Sequence, residues 1–208
     1  MIAEGAGPLV VLLPSRGRDS EDYDEVASGI AKSGYRVLRP QPRGTCRSAG
    51  PMTGITLHDL ARDVAAVIAH AGGVPAVVAG HAFGNWVARM TAADHPRLVR
   101  GVAILAAASK SYPGFAGAQR LVDAVKKAGD PALAEAGRLK YLRAAFFAPG
   151  HDASAWLKGW YPDVNESQFA AGRATRQEEW WGAGTAPLLD LQAALDPFKP
   201  RETTNELK

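Results

Sequence analysis

Ala76-Val77-Val78-Ala79-Gly80-His81-Ala82-Phe83-Gly84 runs from a short apolar stretch straight into a Gly-x-x-x-Gly turn, and Trp86, Val87, Met90 and Ala93 follow at helical spacing up to Pro96. Small and branched apolar residues in one unbroken run predict a strand buried on both faces. Gly80 and Gly84 let a strand-to-helix turn close tightly, which pushes the side chain between them out of the backbone at the start of a helix. Free N–H groups and the helix dipole favour developing negative charge at that spot. Such a position suits a nucleophilic serine. The residue there is Ala82, and a methyl group cannot attack anything.

Working outward, Leu9–Leu13 is a second buried strand between Pro8 and Pro14, and Tyr23, Val26, Ala27 and Ile30 give a helical face closed by Gly34. Tyr35–Leu38 predicts another strand. Residues 39–55 hold three prolines and three glycines and predict a long loop. Thr56-Leu57-His58-Asp59 has capping-box spacing before an apolar stripe of Leu57, Leu60, Val64, Val67 and Ile68. Gly101–Leu105 and Pro187–Leu191 are further strands. Short buried strands alternating with helices predict an α/β fold, a doubly wound, mostly parallel sheet.

Residues 112–181 break the alternation. They predict helices, one of them starting at Asp130-Pro131 with Leu142 and Phe146 on a shared face, and they carry four of the five tryptophans. The expected organisation is a core of residues 1–111 and 182–208 and a helical cap insertion over 112–181. Ligands of open α/β sheets bind beyond the carboxyl ends of the strands, so a cap would roof a site there. Trp156, Trp160, Trp180 and Trp181 are packing residues in the plain reading; in the functional one they line an apolar substrate pocket.

The 208 residues suffice for one hydrophobic core, and 47% hydrophobic with 22% charged residues is ordinary globular composition. The net charge of +3 is small. Arg36, Arg39, Arg43 and Arg47 come closest to a basic patch but form no continuous stripe, so nucleic acid is not an expected partner. The single cysteine, Cys46, excludes an intramolecular disulfide and a multi-cysteine metal site, and a reducing, cytoplasmic home is expected. The apolar run at 9–13 is too short for a membrane segment. No pair of histidines has metal-ligand spacing, and no phosphate-binding glycine loop is present, so neither a metal nor a cofactor is expected. None of the five histidines reads as a base: His81 packs beside the turn, His58 and His70 belong to one helix, His95 precedes Pro96, and His151 lies in the insertion. Ser15 and Ser109 follow strands as turn residues.

Together these stretches resemble the α/β-hydrolase fold family of esterases, lipases, haloperoxidase-like enzymes and ring-fission hydrolases. Residues 80–84 match its Gly-His-Ser-Phe-Gly turn in all but the serine, leaving Ala82 as a vacant nucleophile position. Leu12–Gly17 resembles the loop after the family's third strand, with Pro14-Ser15 replacing His-Gly; the resemblance makes the backbone amides of Arg16 and Phe83 the oxyanion donors. Pro42–Ser48 resembles the Arg-Gly-x-Gly-x-Ser loop with Cys46 at the second glycine. Leu191–Asp196, followed by Pro200, resembles the Gln-Gly-x-x-Asp stretch and implies Asp196 as the triad acid.

Against that family three departures stand out: Ala82, an end at Lys208 ahead of where the catalytic histidine is expected, and only eight residues ahead of Leu9 where two antiparallel strands are expected. The chain then reads as a fragment or shortened product of a larger domain. Ala82 is compatible with an introduced serine replacement, a natural branch without serine, or a misplaced motif. The resemblance implies hydrolysis of an ester or similar acyl bond in a small hydrophobic substrate, with the chain itself silent for want of serine and histidine. The alternatives are a non-catalytic small-molecule-binding member, or a serine-independent, cofactor-free enzyme using a His–Asp pair.

Overall fold

Alternation along the strands explains why the apolar runs are unbroken. In the computed structural model, which describes residues 1–111 and 115–207, Val11, Leu13 and Val78 point into one buried cluster while Leu12 and Ala79 point into another. The central strands are covered on both faces, so both parities must be apolar.

The sheet has six strands: β1 (Ile2–Glu4), β2 (Leu9–Leu13), β3 (Arg36–Arg39), β4 (Ala76–His81), β5 (Val99–Leu105) and β6 (Leu188–Leu191). Their order is β1-β3-β2-β4-β5-β6. All pairings are parallel except β1 with β3. α1 (Asp24–Lys32) places Ala27 against one face. α2 (Leu57–His70) and α3 (Phe83–Asp94) cover the other with Leu57, Leu60, Val64, Ile68, Val87 and Met90. Ile68 is fully buried; truncating such a side chain to alanine costs about 2–5 kcal/mol.

The mostly parallel α/β sheet is as expected, and its details partly match and partly correct the sequence reading. The eight residues ahead of Leu9 do hold one strand, β1. It is only three residues long, and its order comes from pairing with β3 and from the Arg39–Glu4 ion pair at 2.9 Å rather than from an apolar pattern of its own. Asp130-Pro131 opens a turn, with Asp130 Oδ1 accepting from the Ala132 N–H at 2.9 Å, and the helix starts later, at Glu135. Thr56 and Asp59 do meet at the start of α2, where Asp59 Oδ2 accepts from both the N–H and the hydroxyl of Thr56 at 2.9 Å. β6 lies at the sheet edge, leaving Leu189 and Leu191 about half exposed at 56% and 51%. Arg39 and Arg43 are engaged by acids, Arg39 by Glu4 and Asp24, Arg43 by Asp63.

Between β5 and β6 lies a helical insertion: α4 (Phe115–Ala128), α5 (Glu135–Ala145), α6 (Pro162–Ala174) and α7 (Gln177–Trp180). The expected boundary at residue 112 falls outside the described residues. Among those that are described, no helix is long and apolar enough to cross a membrane.

Candidate active site

Residue 82 sits where β4 ends and α3 begins, with φ 47° and ψ −113°. That conformation is costly for any residue with a Cβ, and the neighbours enforce it. The Ala82 N–H donates to the Leu105 carbonyl at 3.0 Å, and its own carbonyl accepts from the Asn85 N–H at 3.2 Å and from the Asn85 side-chain amide. A Cβ on Gly80 would lie 2.2 Å from the Gly84 carbonyl oxygen, and one on Gly84 would lie 2.6 Å from the carbonyl oxygens of Leu13 and Pro14. Both glycines are therefore required for β4, the turn and β2 to close on one another.

The turn opens onto a cavity of about 740 Å³ at the carboxyl ends of the strands. Ser15 and Arg16 reach it from the loop after β2, His81 and Ala82 from β4, Ala106 from β5, and residues 193–198 from beyond β6. The insertion supplies the opposite wall, through Val122, Val125, Phe146, Phe147, Trp156 and Phe169. The lining is overwhelmingly apolar; its ionisable members are Arg16, His81, Arg143 and Asp196.

The Ser15–Asp19 loop is held by the insertion. The Gly17 N–H donates to Gln168 Oε1 at 2.8 Å, the Tyr161 N–H donates to the Gly17 carbonyl at 2.9 Å, and the Tyr161 hydroxyl donates to Asp19 at 2.8 Å. Arg18, 2% exposed, forks onto Asp22, donates to the Lys158 carbonyl, and lies over the rings of Trp156 and Trp160 at 4.6 and 4.9 Å. Arg16 is thereby fixed at the cavity. The backbone N–H groups of Arg16 and Phe83 donate to no protein acceptor among the described residues.

His81 Nδ1 and the Tyr23 hydroxyl share a hydrogen bond of 2.7 Å, and the imidazole meets Trp156 edge-on. Burial holds His81 down at about 4, so it is neutral near pH 7. Asp196 is pushed above the ordinary carboxylate range by burial, opposed by the Phe198 N–H that donates to it at 2.8 Å and by the Lys199 charge. Burial lowers the Arg16 guanidinium from its ordinary value, opposed by Glu166.

Ala82, Phe83, Arg16, Asp196 and Trp156 thus all border one cavity, and Trp160, Trp180 and Trp181 do not. Trp160 stands behind Trp156, donating to its carbonyl at 2.6 Å. Trp180 is 3% exposed and stacks on Trp86 at 5.0 Å between centroids; Trp181 covers the buried Arg89 at 4.4 Å. These three pack behind the cavity wall and do not line it. The tryptophan that sequence reading left out is Trp86, one helical turn after the apex and packed on Phe83 at 5.5 Å. Its i, i+3 relation to Phe83 was the available signal. Phe146 and Phe147 were also missed, although the run Ala144–Phe147 is apolar. His151 is exposed and Cys46 lies outside the wall. Among the described residues no cluster of three or more His, Cys, Asp or Glu could hold a metal ion.

A family model described as alpha/beta hydrolase fold matches residues 8–208. The chain belongs to the α/β-hydrolase fold family. Within it, 105 residues, 50% of this chain, are 29% identical to a protein of Mycobacterium phage D29 named as a non-heme haloperoxidase; the match spans only 38% of that relative. Solved structures of the family superpose over nearly the whole chain. An esterase from Exiguobacterium antarcticum has a TM-score of 0.76 at 18% identity, covering 99% of this chain and 81% of its own. A protein of Mycobacterium tuberculosis H37Rv named as the non-heme bromoperoxidase BpoC gives 0.78 at 20% identity, with coverage of 99% and 81%. At these identities the likeness is one of fold.

Proposed function

We propose that this α/β-hydrolase-fold chain binds a small hydrophobic molecule in the cavity beneath a cap formed by residues 112–181, and that it performs no acyl transfer through residue 82. The observation that carries this reading is the methyl group of Ala82 at the apex of a strained turn facing an apolar hollow. The turn geometry is kept, while the atom that would attack a carbonyl is missing.

The remaining parts suit holding a polar head at that end of the cavity. The uncommitted N–H groups of Arg16 and Phe83, with the start of α3, would receive an oxygen atom of the ligand. Asp196 is the triad-acid candidate in this scheme, and Trp86, Trp156 and Phe146 would bury the ligand's apolar body. A serine enzyme deprived of its nucleophile keeps roughly a millionth of its turnover. The one cavity-wall histidine among the described residues, His81, is held neutral and bonded to Tyr23, a poor base for any serine placed nearby.

The chain should hydrolyse 4-nitrophenyl butyrate and 4-nitrophenyl benzoate no faster than buffer, while aromatic ligands quench its tryptophan fluorescence through Trp86 and Trp156. Ala82→Ser in this chain should gain no measurable esterase activity. Turnover above background, or a chain that binds no member of an aromatic ligand panel, would falsify the reading.

A further inference from the structure

Three arginines are buried and have protein acceptors, and a fourth, Arg16, is half-buried at the wall of the cavity. Arg18 pairs with Asp22 and the Lys158 carbonyl; Arg39 with Glu4, Asp24 and the Ser20 carbonyl; Arg89 with the Asn85 amide oxygen and the Trp181 carbonyl. Arg16 is the exception. Among the described residues its guanidinium forms no hydrogen bond and no ion pair, and its Nε is buried without a partner. Its plane lies over Phe169, 4.9 Å from the ring centroid, and both residues border the cavity.

An arginine cannot escape burial by giving up its proton, and a buried cation without an acceptor is costly. The side chain is held there by a loop stitched to α6 through Gly17, Asp19 and Tyr161. We propose that the ligand of this cavity carries a carboxylate and that the Arg16 guanidinium is its anchor. This rests on the reading of the cavity as a binding site for a small hydrophobic molecule, and names the group that molecule must bear.

The planar fork of a guanidinium matches the two oxygens of a carboxylate, and an apolar surround strengthens the pairing because little solvent screens it. The ionic balance of the wall favours one negative charge over two. Among the described residues Arg143 is the only other cation there and is solvent-exposed, His81 is neutral, and Asp196 opposes a dianion such as phosphate. The rest of the lining is apolar, so the favoured ligand is an aryl or alkyl carboxylic acid rather than a sugar acid or a phosphate ester.

The test is a matched pair of probes, 1-naphthaleneacetate and 1-naphthaleneethanol, titrated calorimetrically into the chain and its variants at neutral pH. The acid should bind roughly ten- to a hundredfold more tightly than the alcohol. Arg16→Gln should erase that preference while leaving the alcohol's affinity within about twofold, and Arg16→Lys, which keeps the charge without the fork, should fall between them. Far-UV circular dichroism shows which variants fold, and Arg16→Lys alone suffices if the glutamine variant does not. Equal affinity of the two probes for the unaltered chain, or an acid preference that is undiminished in either variant, overturns the assignment of Arg16 while leaving the cavity reading intact. If neither probe binds, the cavity reading falls and this inference with it.

Discussion

Two tryptophan pairs, Trp156 with Trp160 and Trp180 with Trp181, differ in sequence spacing yet each meets a buried arginine in space. Both rings of each pair lie against the arginine: Arg18 at 4.6 and 4.9 Å in the first, Arg89 at 5.1 and 4.4 Å in the second. What separates them is what the arginine binds and what lies on the other side. Arg18 neutralises Asp22 and ties the Ser15–Asp19 loop to the insertion, and Trp156 faces the cavity. Arg89 has only the amide oxygen of Asn85 and a backbone carbonyl, burial lowers it to about 10, and Trp180 is sealed behind Trp86. An arginine held against two tryptophan rings is thus a packing device in both places, and only position relative to the strand ends brings one of the pairs to the cavity.

The largest effect should come from truncating the sealed pair. Trp180→Ala should cost about 3–5 kcal/mol in urea unfolding, because it leaves a void beside Trp86, with ligand affinity reduced only through the loosened Trp86. Trp156→Ala should cost less stability and weaken aromatic ligands more. The distinction between the pairs collapses if the two variants lose stability and affinity in the same proportion.

Next in size, Arg18→Met should cost about 3–5 kcal/mol, since it strands a largely buried carboxylate and a carbonyl. Arg89→Met leaves only neutral acceptors and also removes a buried charge, so its cost should stay nearer 1–3 kcal/mol. Chemical denaturation of both variants at one pH decides; equal losses would mean that the carboxylate partner is immaterial.

The smallest effect concerns the anchor of α7. His58 on α2 contacts Asp94 at 2.8 Å and Glu179 at 3.0 Å, and these bonds raise its pKa above the ordinary 6.5. A raised histidine pKa stabilises the fold fully below the unfolded value of about 6.5, and that contribution fades as pH climbs through the folded value. The urea midpoint should therefore drop modestly from about pH 6.5 upward, and His58→Gln should flatten that segment. A slope unchanged by the substitution would assign it to other groups. Among the described residues the Trp156 side has no histidine in a comparable ion pair, so ligand binding there should not follow this titration.

Much of the fold was legible because its signals are local. A strand covered on both faces must be apolar at every position, which made Leu9–Leu13 and Ala76–Ala79 readable, and a turn that excludes any Cβ at residues 80 and 84 requires glycine at both. β1 was illegible because three residues carry no period, and its order comes from its partner strand. Trp160, Trp180 and Trp181 could not be told from Trp156 because helical spacing reports which face is apolar, not what that face meets. The run Phe146-Phe147 became a cavity wall only once α5 had been set against the strand ends.

Chain chemistry alone determined the alternating α/β plan, the tight bend around residue 82 and the missing hydroxyl at its apex, since these depend on neighbours within a few residues. Tertiary packing alone decided which aromatic rings reach the hollow, that Arg16 meets it without a protein acceptor among the described residues, and that Asp196 borders the same space. Those facts join residues from opposite ends of the chain, and no sequence period spans that distance.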